Sequence, residues 1–544
     1  MNTLVVIPAR GNSKGIPRKN IRLMANNPLI YYVIQNAKQI NCPSDIIVTT
    51  DDEEIISVVQ GYGIECIKRP SELAGDRTTL DPVVNHAVET MEALRKYRYD
   101  IVITLQPTSP TLKSVTLNSA IEFFVNQNKD SLISVVNRPH LSWRRENDEI
   151  VPNYIKRLNR QELPCNYSET GGFFITKREF VTNSSRLGNK IGVFEVLENE
   201  SIDIDSEADW IVCESMLNRK KIIFRVDGEE KLGMGHIYRC LTLAYKLIGH
   251  DLCFITKKQC DLGVRKLEQS FFPMKVIEQE EDMWSFLEEY KPDIIINDIL
   301  NTSEEYMLKL RSYVKRIINF EDEGEGSNLA DGVINALYDN KKGQKNVYSG
   351  FEYFCIRDEF IQTRPKEFET NLKNVIIMFG GSDPSNLTQR IYNICHQLHD
   401  KYPDIRFNFI TGFGYPYKDN IKTKEEFNIF AYHDVKRVSK YMMEADLAIT
   451  SQGRTIYELA YMGVPAIVLA QNQRETEHLF AQIKNGFINL GIGHEQDEKT
   501  ILRTMEWLID TPQLRKEMRN LMMSKEFQKG HERVLRIILD TRLE

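Results

Sequence analysis

The sequence predicts an α/β protein with one Rossmann-like domain followed by a second unit of two Rossmann-like lobes. Its length of 544 residues is enough for several domains. Short apolar runs alternate with amphipathic segments, which is typical of parallel βαβ units. A buried strand breaks into a glycine turn three times, near residues 4, 221 and 374. The predicted boundaries are 1–218, 220–370 and 371–544.

Composition narrows the class of protein. A hydrophobic fraction of 42% and a charged fraction of 27% are those of a globular protein. The net charge of −7 argues against a nucleic acid partner, because phosphate binding usually leaves a basic excess. Nine cysteines without a C-x-x-C pair indicate reduced thiols. With no signal peptide and no run of about 18 apolar residues, we expect a soluble cytoplasmic protein without a membrane span.

The elements of the first domain follow from its periodicity. Alternating β-rich runs predict strands, and segments with a 3.6-residue apolar period predict helices. Ser206 and the acidic residues after it are typical of a capped helix that ends in the basic turn 218–221. The predicted strands are 4–7, 45–50 and 99–104, and the predicted helices include 29–40 and 80–97.

The second unit repeats the same alternation in two lobes. In such sheets a ligand binds beyond the carboxyl ends of the strands, so we expect one in the cleft between the lobes. The predicted strands are 221–224, 252–256, 293–297, 316–319 and 332–335 in the first lobe, and 374–379, 406–410, 446–450 and 466–470 in the second.

The loop 7–20 follows the first strand and carries glycines, a hydroxyl and four cations. Small residues let backbone N–H groups approach a phosphate chain, and the cations neutralise its charge. A triphosphate is the expected ligand, although charge alone leaves a solvated basic loop equally open. The cations are Arg10, Lys14, Arg18 and Lys19.

This loop resembles the signature of the CMP-sialic acid synthetase family, cytidylyltransferases that activate nine-carbon acidic sugars. Four further stretches, 48–55, 69–73, 105–110 and 202–205, recur in the family's order. The resemblance covers about residues 1–218 and implies a nucleotidyltransferase fold. It implies in-line attack of the sugar's anomeric hydroxyl on the α-phosphorus of CTP. The acid could be sialic, legionaminic or pseudaminic.

The resemblance also implies the site residues. It assigns Gln106 and Gln161 to the sugar acid, and Asp203 and Asp205 to Mg²⁺. An Asp-x-Asp pair can hold a hard cation that bridges triphosphate oxygens, whereas a capping or surface pair is the alternative. The residues assigned to CTP are Arg10, Gly11, Ser13, Lys14, Lys19 and Asn20, of which Arg10 and Lys19 are also expected to be catalytic.

His236 is the first chemical feature of the second unit. It is predicted to begin a helix after Gly233 and Gly235. The positive end of the helix dipole disfavours the imidazolium form there. A neutral imidazole in this place could act as a base, whereas a structural histidine is the alternative.

A second glycine turn, 379–388, follows the strand at 374. Ser382 or Asp383 is expected to cap a helix with Pro384 in its first turn, so that a diphosphate could rest on the free N–H groups. Glu458, after a later glycine turn, suits paired ribose hydroxyls. A well-capped helix and an exposed glutamate are the alternatives.

These motifs, taken with 350–353 and 463–465, resemble the pseudaminic-pathway UDP-sugar hydrolases, relatives of two-lobed glycosyltransferases. The resemblance implies a glycosyltransferase B-like fold over about 220–490. His236 would activate water to attack C1 of a UDP-linked 2,4-diacetamido sugar. The residues assigned to the nucleotide are Gly380, Gly381, Ser382 and Glu458, and those near the sugar are Asn472 and Gln473.

The sequence thus predicts a bifunctional enzyme of bacterial nonulosonic acid biosynthesis. It would use CTP with a nonulosonic acid in one domain and a UDP-sugar in the other. A glycosyltransferase and a non-catalytic nucleotide-sugar-binding module remain alternatives for the second unit. Because relatives of the first domain are commonly dimers, we expect a homo-oligomer.

Overall fold

The computed structural model describes residues 2–11, 15–75, 77–228, 234–339 and 343–540. The chain divides into two compact units, Met1–Arg219 and Lys220–Glu544. Within the described ranges, none of the helices has both the length and the apolar character that crossing a membrane requires.

Unit 1 alternates strands and helices along most of its length. Its strands are β1 (Thr3–Pro8), β2 (Leu23–Met24), β3 (Asn27–Pro28), β4 (Ser44–Thr50), β5 (Glu65–Lys68), β6 (Ile101–Leu105), β7 (Ser131–Asn137), β8 (Trp143–Glu146), β9 (Glu149–Pro152), β10 (Tyr167–Lys177) and β11 (Ile191–Glu195). Its helices are α1 (Leu29–Lys38), α2 (Glu53–Gly61), α3 (Leu80–Arg95), α4 (Ser114–Asn126) and α5 (Glu207–Leu217).

The main sheet of unit 1 has the strand order β11-β7-β10-β6-β1-β4-β5. β10 runs antiparallel to both β6 and β7, whereas the other pairs in this sheet are parallel. The predicted parallel strands 4–7, 45–50 and 99–104 are confirmed as β1, β4 and β6, and β10 is an antiparallel strand that the pattern did not predict. The central strands β1 and β6 are buried along their whole length, which is why they read as continuous apolar runs.

The first lobe of unit 2 is a parallel sheet of order β14-β13-β12-β15-β16-β17-β18. Its strands are β12 (Lys221–Val226), β13 (Asp251–Lys257), β14 (Met274–Ile277), β15 (Ile294–Asp298), β16 (Arg316–Phe320), β17 (Gly332–Asn335) and β18 (Val347–Ser349). The helices in this stretch are α6 (Gly235–Lys246), α7 (Asp261–Glu268), α8 (Glu280–Tyr290), α9 (Glu304–Arg311) and α10 (Asp358–Ile361).

The second lobe is a parallel sheet of order β21-β20-β19-β22-β23-β24. Its strands are β19 (Asn374–Met378), β20 (Arg406–Thr411), β21 (Ile429–His433), β22 (Leu447–Thr450), β23 (Ala466–Ala470) and β24 (Phe487–Ile492). The helices are α11 (Leu387–His399), α12 (Val438–Glu444), α13 (Thr455–Met462), α14 (Glu498–Asp510), α15 (Pro512–Met523) and α16 (Gly530–Leu539).

Helix α16 returns to the first lobe. Its buried residues Val534 and Ile538 pack into the core formed around β12 and β15. Arg316 of β16 donates from Nε to the carbonyl oxygen of Ile538 at 2.9 Å. The last helix in sequence therefore belongs by packing to the first sheet of unit 2.

Candidate functional site

The candidate site of unit 1 lies where β1, β4 and β6 end at the same edge of the sheet. Gly11 follows β1, and its backbone N–H donates to Asp51 Oδ1 at 3.2 Å. Asp52 begins α2 by accepting from the backbone N–H groups of Glu54 and Ile55. A Cβ on Gly11 would collide with the Asp52 carboxylate, so only glycine fits this turn.

Asn20 and Lys19 fix the loop that carries Arg10. Asn20 is buried and donates from Nδ2 to the carbonyl oxygen of Arg10 at 2.9 Å. Lys19 Nζ donates to the carbonyl oxygen of Ile204 at 2.7 Å and lies 4.0 Å from Asp205 Oδ1. Burial lowers the pKa of Lys19, while the charge of Asp205 opposes that effect. Two of the predicted cations thus lie at one edge with the Asp-x-Asp pair.

Asp203 and Gln106 converge on a bulge in β10. Gly171 has φ of +68°, and a Cβ there would lie 2.8 Å from Asp203 Oδ2 and 3.2 Å from Gln106 Nε2. Within the described residues, Asp203 Oδ1 is buried and has no hydrogen-bond partner. Burial raises the pKa of Asp203, the side chain of Thr108 opposes that effect, and the charge of Asp205 raises the pKa further.

The Asp-x-Asp pair fits a hard cation. Its donors are carboxylate oxygens, and an orphaned buried oxygen of this kind is costly without a positive partner. Groups of three or more potential ligand side chains do not occur in the ranges that the structure describes. Mg²⁺ held by Asp203 and Asp205 would therefore take its remaining ligands from water and phosphate, as this ion commonly does.

Arg69 is a site residue that the sequence analysis did not assign. It is buried, and one terminal nitrogen donates to the carbonyl oxygen of Thr49 at 2.7 Å. Its Nε has no partner among the described residues. Burial lowers the pKa of Arg69, with Asp51 opposing and Arg10 adding to the effect. In the sequence its motif, 69–73, served only as a family marker, because the burial of Arg69 becomes visible only in the structure.

One predicted residue, Gln161, is not brought to this edge. Gln161 is exposed on the short turn Arg160–Glu162, and the described contacts do not join it to Gln106 or Asp203. Ser13 and Lys14 lie outside the described residues.

Unit 2 contains a cavity of about 450 Å³ between its lobes. The first lobe contributes the start of α6 with His236, and the second contributes loops at the carboxyl ends of β19, β22 and β23. The predicted residues that line it are His236, Gly380, Gly381, Ser382, Glu458 and Asn472. Gly233, one of the two glycines before His236, lies outside the described residues.

His236 is held by Asp298, the last residue of β15. His236 Nδ1 lies 2.5 Å from Asp298 Oδ1, and both side chains are buried. Arg239 donates to the same carboxylate from Nε at 2.6 Å. Burial opposes ionisation of Asp298, but Arg239 and His236 outweigh it and hold its pKa well below the ordinary value. When the imidazole is neutral, the ionised Asp298 accepts from Nδ1–H and the free lone pair is on Nε2.

Glu321 connects this cluster to the second lobe. Glu321 Oε1 accepts from Arg239 and also from Arg454, the latter at 2.5 Å. Burial raises the pKa of Glu321, while Arg239 acts in the opposite direction. Its backbone lies in the left-handed region at φ of +53°. The sequence analysis did not assign Glu321 to the site, because the local sequence pattern does not link Glu321 to His236.

The predicted capping by Asp383 is confirmed, but the predicted place of Pro384 in the first turn of the helix is wrong. Helix α11 begins at Leu387, and Pro384 precedes it. The Asp383 carboxylate accepts from the backbone N–H groups of Leu387 at 3.0 Å and Thr388 at 2.8 Å. These N–H groups are therefore already occupied and do not form a phosphate site. The glycine turn itself still lines the cavity, with Gly380 at φ of +81°.

Glu458 and the sugar residues have definite partners. Glu458 is buried and accepts from Arg357 Nε at 2.7 Å. Asn472 Oδ1 accepts from the backbone N–H of Glu475 at 3.1 Å. Gln473 is exposed, is not among the lining residues, and bonds to Thr476.

Glu475 is a further cavity residue that the sequence analysis missed. Its Oε2 accepts from the backbone N–H groups of Gln471 at 2.8 Å and Gln452 at 3.2 Å, which ties two loops together. Although part of the residue remains exposed, burial of the carboxyl group raises the pKa of Glu475 to about 7.

Comparison with known proteins matches each unit to a family. Residues 4–231 match the cytidylyltransferase family, and residues 375–534 match the C-terminal domain of glycosyltransferase family 28. Post-translational flagellin modification protein B of Campylobacter coli is 32% identical over 226 residues, which are 40% of this chain and 96% of that protein. N-acylneuraminate cytidylyltransferase A of Danio rerio is 34% identical over 244 residues, 43% of this chain and 54% of that protein.

One relative spans both units. It is the pseudaminic acid cytidylyltransferase and UDP-2,4-diacetamido-2,4,6-trideoxy-beta-L-altropyranose hydrolase of Helicobacter pylori, 25% identical over 530 residues. The match covers 93% of this chain and 94% of that protein. By contrast, the chain spans between about half and two thirds of the length of several other curated relatives.

Proposed function

Since the chain belongs to the cytidylyltransferase family through residues 4–231, we propose that unit 1 transfers CMP from CTP to a nonulosonic acid. The anomeric hydroxyl of the acid attacks the α-phosphorus, a new O–P bond forms as the hydroxyl loses its proton to water, and the bond from the α-phosphorus to the pyrophosphate oxygen breaks. The observation that carries this proposal is the convergence of Lys19, Asp203 and Gln106 at one edge of the sheet. The names of the Danio rerio and Helicobacter pylori relatives support the class of acceptor.

The residues of unit 1 have different roles in this reaction. Arg10 and Lys19 bind and orient the triphosphate, and Arg69 supplies a buried donor beside them. Gln106 orients the sugar acid next to Asp203. Mg²⁺ held by Asp203 and Asp205 would neutralise triphosphate charge. Because CTP is the co-substrate, we place the reaction in the cytoplasm.

Product analysis tests the proposal for unit 1. Purified protein receives CTP, Mg²⁺ and a panel of sialic, legionaminic and pseudaminic acids, and mass spectrometry follows CMP-sugar. We expect one acid to be converted, and Arg10→Ala to abolish pyrophosphate release. Arg98→Ala, an exposed arginine of the same unit, is the matched control. Failure to convert any acid in the panel would refute the proposal.

For unit 2 we propose hydrolysis of a UDP-linked 2,4-diacetamido sugar. His236 Nε2 takes a proton from water, the water oxygen bonds to C1, and the bond from C1 to the diphosphate oxygen breaks, so that UDP leaves with the electron pair. The geometry that supports this is the buried His236–Asp298 pair at the wall of the cavity. The Helicobacter pylori relative, whose name includes such a hydrolase, supports the substrate class.

A glycosyl transfer reaction is the second candidate for unit 2. The match of residues 375–534 to glycosyltransferase family 28 favours it. In that case a carbohydrate hydroxyl would replace water as the nucleophile. Free sugar and UDP from a UDP-2,4-diacetamido-trideoxyhexose alone support hydrolysis, whereas turnover that requires an added acceptor supports transfer.

We also propose that the protein forms a homo-oligomer through unit 1. The β8–β9 hairpin and the chain after it expose apolar side chains, with Trp143 55%, Ile150 59% and Ile155 108% exposed. Exposed apolar patches of this kind commonly mark protein interfaces. Light scattering of the intact chain tests it, and a monomer at micromolar concentration would contradict it.

A further inference from the structure

From the position of Arg454, we infer that this residue is the diphosphate-binding side chain of unit 2 and that it exchanges Glu321 for the ligand. The inference rests on the proposed use of a nucleotide sugar by unit 2. Arg454 immediately precedes α13, lines the cavity, and has a side chain that is 20% exposed. An arginine in such a position is suited to bidentate contact with phosphate oxygens.

Arg454 lies next to the reacting end of the cavity. A Cβ on Gly235 would lie 3.1 Å from Arg454 Cδ and 3.2 Å from Arg454 Nε, so the arginine stem packs directly on the residue before His236. In a nucleoside diphosphate sugar, an oxygen atom joins the β-phosphate to C1. A base that directs water to C1 therefore lies close to that phosphate, and Arg454 lies beside the base.

The other cavity arginines are committed to carboxylates or face solvent. Arg239 binds both Asp298 and Glu321. Arg357 binds Glu458 and Glu359, each at 2.7 Å. Arg474 donates to the Tyr338 hydroxyl at 2.8 Å from an exposed segment.

Arg454, in contrast, bonds to the Glu321 oxygen that Arg239 also occupies. A carboxylate oxygen shared by two guanidinium groups compensates each of them incompletely. A diphosphate offers Arg454 more negative charge and more acceptor oxygens than its half-share of Glu321 does. Glu321 keeps Arg239 as its partner when Arg454 leaves, so the exchange does not strand a buried charge.

The backbone conformation at Glu321 places its side chain against Arg454. Its left-handed conformation is strained for a residue other than glycine. Asp322 holds the conformation by accepting from the backbone N–H groups of Thr302 at 3.0 Å and Gly324 at 2.9 Å. Asp322 also accepts from Asn319 Nδ2 at 2.6 Å. Glu321 therefore stays in place while Arg454, at the cavity wall, is the partner that moves.

Calorimetric titration of the full-length protein with UDP and with UMP tests the inference. Arg454→Met is expected to weaken UDP binding by about 10- to 100-fold, the usual range for a lost hydrogen bond to a charged group, and UMP binding by less than about 3-fold. Arg454→Lys should retain part of the UDP affinity. Arg474→Met, a matched cavity arginine, should change UDP affinity by less than about 3-fold.

The exchange with Glu321 makes a separate prediction. Glu321→Gln removes the competitor for Arg454, so UDP affinity should rise by about 2- to 10-fold, whereas a Glu321 that only positions Arg454 would lower it when removed. Equal UDP affinities of wild type and Arg454→Met, or a loss confined to Arg474→Met, would overturn the inference. Wild type that binds UDP but releases no sugar would instead overturn the proposed hydrolysis and leave the role of Arg454 intact.

Discussion

The two sites differ in how their charges are balanced. In unit 1, Asp203 Oδ1 and Arg69 Nε are buried without a hydrogen-bond partner among the described residues. In unit 2, Arg239, Asp298 and Glu321 are buried, and Arg239 bonds to both carboxylates. The first site holds groups of both signs that a ligand would satisfy, whereas the second is a preassembled ion cluster.

This difference predicts different consequences of substitution. Removing a group that only the ligand satisfies costs activity but leaves the free protein intact. Removing one member of a buried ion cluster leaves its partners charged and unpaired, and the free energy of unfolding falls as well. Measuring both the activity and the free energy of unfolding of each variant therefore tests whether the two sites differ in this way.

The largest expected effect is that of His236→Gln. Loss of a general base costs about 10²- to 10⁴-fold in rate, so release of UDP from the UDP-sugar should fall by about that factor. CMP-sugar formation by unit 1 should not change, since its site lies in the other unit. Coupled assays of both products measure this. His494→Gln, an exposed histidine of unit 2, is the control, and an unchanged UDP release in His236→Gln would remove the base from the mechanism.

Asp298→Asn should lower stability most. It leaves Arg239 with one carboxylate fewer in a buried site, which costs about 3–5 kcal/mol in the free energy of unfolding. Hydrogen exchange of peptides from β15 in the intact protein reports this local stability. Asp261→Asn, at an exposed ion pair, should cost less than about 1 kcal/mol. Equal protection in both variants would show that the cluster of unit 2 is not preassembled.

Much of the fold could be predicted because parallel strands are marked by local pattern. The predicted strand 252–256 lies within β13, and predicted helix 80–97 corresponds to α3. The antiparallel direction of β10 could not be predicted, because strand direction depends on pairing with β6 and β7 and not on the residues of β10 alone. The return of α16 to the first lobe is likewise a matter of long-range packing.

Site residues that stand in a local motif could be predicted. Site residues that only the topology of the fold brings together were missed. His236 and Asp203 stand in recognisable strings. Asp298 lies 62 residues from His236, and only the neighbouring ends of β12 and β15 bring them together. The start of α11 was misplaced because Asp383 caps it from four residues away, beyond the usual capping distance.

Asp203→Ala tests whether a substitution in the site of unit 1 lowers activity without lowering stability. Pyrophosphate release should fall by about 10²- to 10³-fold, the usual cost of removing a group that stabilises developing charge. The midpoint of thermal unfolding should not fall, because burial already disfavours the ionised Asp203 in the free protein. Asp205→Ala, at the exposed member of the pair, should lower activity comparably. A large loss of stability in Asp203→Ala would place this residue in a structural network like that of unit 2.

Glu475→Gln should give the smallest effect, and one that depends on pH. The pKa of Glu475, about 7 in the folded protein, lies above the ordinary value near 4.3. Its contribution to stability is therefore fully present below about pH 4.3 and is lost as the pH rises through 7. Between pH 5.5 and 8.5 the wild type should lose about 2 kcal/mol relative to the variant.

Urea unfolding at the two pH values, followed through peptides of β23, measures this difference. The amide oxygen that Glu475→Gln introduces can still accept from the backbone N–H groups of Gln471 and Gln452, so the two loops stay joined in the variant. Glu477→Gln, exposed two residues further on, controls for the loss of one negative charge. If the pH dependence of wild type and Glu475→Gln coincides, the carboxylate of Glu475 is balanced by other groups of the cavity, as the carboxylate of Asp298 is.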